Sequence, residues 1–222
     1  MEGEERTIKN LLFIFILLLI PQIVSASSNG SCFRDIQKRY ANLPGIIVSY
    51  KREITSKTMD MLGTGMKEEV ATGKIFLRPP NFLRIEQETP DHELIISNGH
   101  DVWWYIPSKN TAYRYRAEQF SKELDILRNI FHGMRDVEKR FFVSWRRDKQ
   151  GINILLRPKK AWQDIEKIGV EVDPSDFRIK VVKIYNLFGS ITCFRLRDEI
   201  STNLKKEIFS VHLPEGTRII EK

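Results

Sequence analysis

Apolar residues occupy every second position through much of the chain beyond residue 45. This period is that of a β-strand with one buried face. The pattern predicts strands at Ile46–Tyr50, Ile75–Leu77, Leu83–Ile85, Leu94–Ile96, Val102–Ile106, Tyr113–Tyr115, Phe141–Trp145, Ile152–Leu156, Ile165–Val172, Phe177–Tyr185, Ile191–Leu196 and Ile208–Leu213. The polar stretch from Thr55 to Thr72 contains two glycines and predicts a long mobile loop between the first two strands.

Apolar side chains at three- and four-residue spacing interrupt this pattern twice and predict helices. The first helix is expected to start at Ser31, a residue suited to cap it, and to end at Pro44-Gly45. Its apolar stripe consists of Phe33, Ile36, Tyr40 and Leu43. The second helix is expected after Ser121, with a shorter helical continuation at Met134, Val137 and Phe141, and its stripe consists of Leu124, Leu127, Ile130 and Phe131.

This order of elements predicts a mainly β (α+β) protein. A sheet of about a dozen antiparallel strands curls through its own twist, and amphipathic helices can cover its apolar face. An incomplete barrel with a helical lid satisfies the pattern, but a closed barrel or a sandwich satisfies it equally well.

The first 26 residues predict a signal peptide rather than part of the fold. An unbroken apolar run from Leu11 to Ile20 precedes Pro21 and the small-residue site Val24-Ser25-Ala26, which predicts cleavage after Ala26. A membrane anchor needs roughly 20 apolar residues, and this run is much shorter. No linker or repeat divides residues 27–222, which are therefore expected to form a single domain.

Charge and motif content argue against several functions. The formal net charge of +7 suits nucleic acid, anionic lipid or an acidic protein, and export argues against nucleic acid. The chain contains no Gly-x-Ser-x-Gly, His-Glu-x-x-His or Cys-x-x-Cys motif and no glycine-rich phosphate loop. Its four histidines are scattered singly. We therefore expect no catalysis, no cofactor and no metal site.

The two cysteines, Cys32 and Cys193, allow one intramolecular disulfide in an oxidising compartment. Cys32 also raises the alternative of an acylated N-terminal cysteine. The polar residues Asn29-Gly30-Ser31 separate it from the apolar run, which disfavours acylation. The pair is a candidate disulfide.

The most specific part of the sequence is the block from Gly73 to Pro107. A Gly-led strand runs into Pro80-Asn81 and the strand Phe82-Leu-Arg-Ile-Glu86, followed by Ser97-Asn-Gly99 and Val102-Trp-Trp-Tyr-Ile-Pro107. Near the end of the chain come Asn186-Leu-Phe-Gly189 and Phe209-Ser-Val-His-Leu-Pro-Glu-Gly216. In this order the pieces resemble the LolA family, the periplasmic carriers of outer-membrane lipoproteins.

The resemblance implies an unclosed, curved antiparallel β-barrel of about 11 strands with a lid of short α-helices over an apolar cavity. It implies a periplasmic chaperone that shields lipoprotein acyl chains and carries lipoproteins from the inner to the outer membrane. The implied partners are acylated lipoproteins, a lipoprotein-releasing ABC transporter in the inner membrane and an acceptor in the outer membrane, with the carrier a monomer. A module that binds another lipid or glycolipid and an exported esterase are the alternatives.

The resemblance also nominates site residues. The cavity lining is expected at Ile75, Leu77, Pro79, Leu83, Ile85, Val102 and Trp104. The lid and helix contacts are expected at Phe33, Ile36, Tyr40, Leu124, Leu127, Ile130 and Phe131. Many family members carry a cavity-facing basic residue where this chain has Pro79. Arg78 is the candidate replacement for that latch, although alternation along the strand points it to the other sheet face.

Overall fold

The strands of this protein join into a single 12-stranded sheet within the residues that the structure describes. A computed structural model describes residues 29–56, 69–116, 122–131, 134, 137–162 and 164–222, with only the backbone for 29–32, 122–125 and 128. The predicted signal peptide lies outside these residues. The strands are β1 (Ile46–Ser56), β2 (Glu69–Arg78), β3 (Phe82–Thr89), β4 (Glu93–Ser97), β5 (Asp101–Ile106), β6 (Thr111–Arg116), β7 (Phe141–Arg147), β8 (Ile152–Pro158), β9 (Ile165–Val172), β10 (Ile179–Asn186), β11 (Ser190–Ser201) and β12 (Arg218–Glu221).

Two antiparallel runs of neighbouring strands make up this sheet. Strands β1 to β6 follow one another in one run, β7 to β11 do so in the other, and β1 pairs with β11 to join them. The strands β12 and β7 form the two edges, so the curved sheet does not close into a barrel. The predicted unclosed sheet is therefore confirmed. The described residues form 12 strands where about 11 were expected, and β12 pairs with β6 in parallel.

Strand register gives the sheet two distinct faces, because directly paired residues point to the same side. The inner face is defined by two sets of directly paired residues. In the first run these are Val48, Ile75, Ile85, Ile95 and Trp104. In the other run they are Ile154, Val170, Val182 and Phe194. We call the opposite side the outer face. Most side chains in the inner-face set are buried.

Three α-helices are described: α1 (Asn29–Ala41), α2 (Lys122–Phe131) and α3 (Val137–Arg140). Helix α2 lies over the inner face, where Ile126 and Ile130 border a cavity with Leu156 and Ile168. The ring of Phe131 in α2 contacts the ring of Tyr40 in α1 with centroids 6.0 Å apart. The part of the chain that the structure describes contains no helix long and apolar enough to cross a membrane.

The end of the chain provides a second apolar core on the outer face. Leu204 and Phe209 pack with Ile96, and the partly buried side chains around them are Ile47, Phe76, Phe82, Leu94, Ile208 and Val211. The strand predicted at Ile208–Leu213 is wrong: Lys206–Phe209 forms a 3₁₀ helix, and an irregular segment follows it. Its apolar residues cover a sheet face that already exists, so their spacing does not reflect strand pairing.

Several element ends also differ from the prediction. Helix α1 ends at Ala41, so Leu43 lies outside it, and Phe141 begins β7 instead of continuing a helix. Strand β10 starts at Ile179, because Phe177 has a positive φ of 59° and its N–H donates to Asp173 in a turn.

The loop expected over residues 55–72 is shorter, since β1 runs to Ser56 and β2 begins at Glu69. Polar cross-strand contacts stabilise these extensions. Arg52 Nη2 lies 3.1 Å from Glu69 Oε1, and the hydroxyls of Thr72 and Thr89 lie 2.7 Å apart. Residues 57–68 lie outside the described residues.

The outer core predicts a difference between two apolar side chains near the end of the chain. Phe209→Ala should lower the free energy of unfolding by about 3–5 kcal/mol, because Phe209 is buried against the sheet. Ile219→Ala should lower it by less than about 1 kcal/mol, because Ile219 is exposed on the edge strand. Urea unfolding followed by tryptophan fluorescence measures both. Equal losses would show that the terminal segment does not pack as described.

Candidate functional site

An apolar cavity of about 180 Å³ lies between α2 and the inner face of β7 to β9. Its apolar lining is Ile126, Ile130, Met134, Val137, Phe141, Leu156, Trp162 and Ile168, and Asn129 and Arg140 are its polar lining residues. Most of these apolar side chains are buried in the structure. The cavity therefore suits an apolar ligand better than a charged one.

Helical and strand periodicity place these side chains together. Ile126 and Ile130 are four residues apart in α2 and so project from one side of the helix. Leu156 and Ile168 are direct partners across β8 and β9. Met134 follows α2 in the chain, and its N–H donates to the Asn129 carbonyl. A buried methionine adapts its shape more readily than a branched side chain, which suits a cavity that changes volume.

Aromatic rings and a guanidinium form the rim of the cavity. The rings of Phe141 and Trp162 meet edge to face with centroids 5.5 Å apart. The guanidinium of Arg140 lies 5.1 Å from the Trp162 ring and 6.0 Å from the Phe141 ring. Arg140 is exposed, so this rim faces solvent.

The residues that the sequence predicted to line a cavity lie on the inner face, as the cavity does, but on a different part of that face. Register places the predicted side chains of β2, β3 and β5 on the inner face, where Ile75, Leu77, Leu83, Ile85 and Val102 are buried and Trp104 is partly buried. Trp104 donates its indole N–H to Glu93 and packs against the Tyr113 ring. The cavity lies over β7 to β9 instead of over these strands.

Most of the predicted lid and helix residues also lie away from the cavity. Phe33, Ile36, Tyr40, Leu127, Ile130 and Phe131 are all buried. Ile130 is the one of these described side chains that borders the cavity. The side chain of Leu124 lies outside the described part of the chain.

Pro79 and Arg78 do not join the buried lining. Pro79 lies exposed in the turn after β2. Arg78 pairs with Phe82 across the hairpin and places its guanidinium 5.5 Å from that ring. Phe82 in turn packs on Phe209, with ring centroids 5.4 Å apart, in the outer core. Arg78 therefore lies on the face opposite the cavity, as strand alternation requires.

Cys193 is a free, buried thiol, so the structure does not join it to Cys32. Cys193 pairs with Glu53 and Lys183 and so belongs to the outer face, opposite the side that α1 contacts. Burial raises the pKa of this thiol. The side chain of Cys32 lies outside the described residues.

A small polar network attaches α1 to the sheet. Tyr40 donates its hydroxyl hydrogen to Glu199 at 2.7 Å and accepts the N–H of Ile179 at 3.0 Å. Arg39 reaches the other oxygen of the same carboxylate at 2.6 Å. Burial, supported by the neighbouring Glu199 carboxylate, raises the pKa of Tyr40 above its usual value.

A β-bulge positions that carboxylate. The β1–β11 register shifts between Ile47 and Ser49, and Asp198 in β11 has a positive φ of 53°. The extra residue in β11 redirects a side chain, as bulges commonly do. The Glu199 side chain is 6% exposed, so its hydrogen bonds to Tyr40 and Arg39 replace lost water.

Sequence reasoning missed most of the cavity lining. Trp162, Leu156, Ile168 and Ile126 lie outside the block with the strongest motifs, between residues 73 and 107. A usable signal was present, since nine residues, 132–140, separate α2 from β7. Short connections usually keep consecutive elements adjacent, which favours a position of α2 near β7.

Nothing in the described ranges brings together three His, Cys, Asp or Glu side chains that could hold a metal ion. The polar groups at the cavity are one amide and one guanidinium. What this arrangement can do chemically is bind an apolar group and place a cation at its rim.

Comparison with known proteins identifies a family. The family model described as "Outer membrane lipoprotein carrier protein LolA" matches residues 59–212. A protein of Yersinia enterocolitica named outer-membrane lipoprotein carrier protein is 21% identical over 201 residues, covering 90% of this chain and 93% of that protein. A Yersinia pestis protein of the same name is 21% identical over 89% of this chain and 92% of its own length.

Among solved structures, an uncharacterized conserved protein from Thermus thermophilus has a similar fold. Its TM-score is 0.51 at 11% identity, covering 88% of this chain and 99% of that one. At this identity the likeness concerns the fold alone.

The polar network predicts a pH-dependent difference between the native chain and Tyr40→Phe. Near neutral pH the variant should be less stable by about 2 kcal/mol, since Glu199 loses a buried hydrogen bond. A tyrosine with a raised folded pKa contributes stability that is complete below its unfolded pKa of about 10 and is lost above it.

The difference in the free energy of unfolding between the native chain and Tyr40→Phe should therefore narrow as the pH rises above about 10. Denaturant unfolding at a series of pH values measures it. Tyr50→Phe is a useful comparison, because burial raises the pKa of Tyr50 to about 12 without a hydrogen bond to Glu199. A gap that stays constant or widens above pH about 10 would contradict the role assigned to Tyr40.

Proposed function

Because the chain belongs to the LolA family, we propose that it is an exported, monomeric chaperone that carries lipoproteins from the inner to the outer membrane. Its cargo would be the acyl chains of lipoproteins, received from an inner-membrane ABC transporter and passed to an outer-membrane acceptor. The observation that carries this proposal is the apolar cavity between α2 and β7 to β9. Carriage rather than catalysis is the activity proposed.

The size of the cavity supports a lid that moves. A volume of about 180 Å³ is below the range of about 300–1,000 Å³ common for ligand pockets. An acyl chain would therefore enter only as α2 shifts away from the sheet. Helix α2 is suited to this, because its side chains Ile126 and Ile130 meet the cavity through apolar contacts without fixed geometry.

The binding energy of an acyl chain is large enough for this task. Each buried methylene contributes about 0.8 kcal/mol, so one chain compensates for the displacement of several lid side chains. The rim residues Arg140 and Trp162 add a polar boundary where the cargo would leave the cavity.

Filling the cavity tests the proposal. Val137→Phe places a larger side chain at a buried lining position, and we expect cargo binding to fall several-fold while the fold persists. Val211→Phe is the matched control, because Val211 lies by the outer core, away from the cavity. Release of newly acylated lipoproteins from spheroplasts into the soluble fraction measures the activity.

Each outcome of that assay has a defined meaning. Release by the native chain and by Val211→Phe, with loss in Val137→Phe, supports a lipoprotein carrier that uses this cavity. Equal release by both variants would show that the cavity is not the binding site. If the native chain releases none but retains another lipid or glycolipid by mass spectrometry, the cargo class proposed here is wrong.

The proposed export gives a further prediction. Protein recovered from the cell envelope should start at Ser27, because the small residues Val24-Ser25-Ala26 form the cleavage site. Mass spectrometry of the intact protein measures its N-terminus. A chain that retains the apolar run Leu11 to Ile20 would argue for an anchored protein instead.

A further inference from the structure

Three separate segments meet at one end of the sheet. In an antiparallel run, alternate connections lie at the same end, which groups the start of β7 with the β8–β9 connection and the β10–β11 turn. The N–H of Lys159 donates to Arg140, and the N–H of Leu187 donates to Asp164 at 2.7 Å. We call this region the loop end and define it by residues 138–142, 157–162, 164 and 186–189.

The loop end carries large apolar side chains that the protein leaves in water. Phe188 is 74% exposed, Phe142 64% and Leu187 60%, and these are the three most exposed large hydrophobic side chains among those described. Apolar side chains scattered singly are ordinary on a surface, but two in succession at the tip of one turn are a feature that needs an explanation.

The β10–β11 turn holds its two apolar side chains outward. Asn186 Oδ1 accepts the N–H of Phe188 at 2.6 Å, and the Asn186 carbonyl accepts the N–H of Gly189 at 3.1 Å. Gly189 has a positive φ of 85°, which glycine adopts without strain. The turn is therefore ordered before any contact, and little conformational entropy would be lost on docking.

Basic residues outnumber acidic ones at the loop end. The ammonium of Lys159 lies 5.5 Å from the Phe142 ring. Basic residues at the loop end are Lys139, Arg140, Arg157, Lys159 and Lys160, against the acidic residues Glu138 and Asp164. On the adjoining part of β9, Lys167 is paired with Glu166 at 3.0 Å. Exposed aromatic and apolar side chains with lysine and arginine are the combination found at membrane interfaces.

The cavity rim lies at the same end. Arg140, Phe141 and Trp162 belong both to the loop end and to the cavity lining. We propose that the loop end docks on the surface of an anionic lipid bilayer, with Leu187 and Phe188 in the headgroup region. Docking in this way directs the cavity rim toward the membrane. The inference goes beyond the proposed carriage of lipoproteins, because the surface would bind lipid without any cargo.

Flotation with lipid vesicles tests the docking surface in the empty protein. All variants are recovered from the cell envelope in the same processed form and mixed with phosphatidylcholine vesicles with or without phosphatidylglycerol. The native protein should float with the anionic vesicles and less with the neutral ones. Failure of the native protein to bind anionic vesicles would overturn the proposal and leave the carrier function untouched.

Two pairs of variants separate the apolar and the charged contributions. Leu187→Ser with Phe188→Ser should weaken binding by about tenfold or more, since two apolar side chains no longer enter the interface. Ile200→Ser with Ile219→Ser is the matched control, because both are exposed and lie away from the loop end. The control should bind as the native protein does.

The double variant Lys159→Gln with Lys160→Gln should weaken binding to anionic vesicles by about 30-fold. Each of the two lysines near the membrane surface contributes about equally to that factor. Lys149→Gln with Lys205→Gln, both exposed elsewhere, should not weaken binding. The altered side chains are exposed, so circular dichroism should show the native fold in every variant. Native-like binding by either loop-end variant, or an equal loss in its control, would overturn the proposal.

Discussion

The pairing of β1 with β11 is the constraint on which the rest of this structure depends. It joins a run of strands from the first half of the chain to a run from the second half, from Ile46 opposite Ser201 to Ser56 opposite Ser190. Without it there would be two smaller sheets, each with an additional open edge. The bulge within this pairing also turns Glu199 toward Tyr40 and Arg39, so the same contact fixes where α1 attaches.

The inner face of the sheet is apolar, and so is the part of its outer face around Ile96, and this protein supplies a different cover for each. The segment after β11 covers the outer face with Phe209 and Leu204, and it is secured by the parallel pairing of β12 with β6. On the inner face, α2 covers β8 and β9 incompletely and leaves the cavity. The hydrogen-bonded edge strand β12 holds the outer cover, while Ile126 and Ile130 of α2 meet the cavity through apolar contacts. The inner cover is therefore the one suited to move.

Alternation along the strands predicted the inner face of β2, β3 and β5 residue by residue, because a period of two leaves little freedom once one face is buried. The failures have physical causes. The segment at Ile208–Leu213 has strand-like spacing but packs flat on an existing face. Pro79 was assigned to the lining by alignment and parity, yet the strand ends at Arg78 and the proline lies in the turn.

The place of the cavity was the hardest feature to predict from the sequence. Strands β2 to β5 and β7 to β9 have the same alternating pattern, and nothing within a strand says which part of the inner face a helix will cover. The position of α2 depends on its short connection to β7, and the attachment of α1 depends on Glu199 at an unpredicted bulge. Neither follows from the alternating pattern of a single strand.

The energetics of the lid explain why a cavity covered by α2 suits reversible binding. Displacing α2 exposes Ile126, Leu127, Ile130 and Phe131, which costs roughly 6–12 kcal/mol at 1.5–3 kcal/mol for each side chain. An acyl chain that buries about ten methylenes gains about 8 kcal/mol. For the proposed cargo, the closed and loaded states would therefore be close in free energy. A lid with many fixed hydrogen bonds would resist loading, and a wide open cavity would bind too tightly to release its cargo.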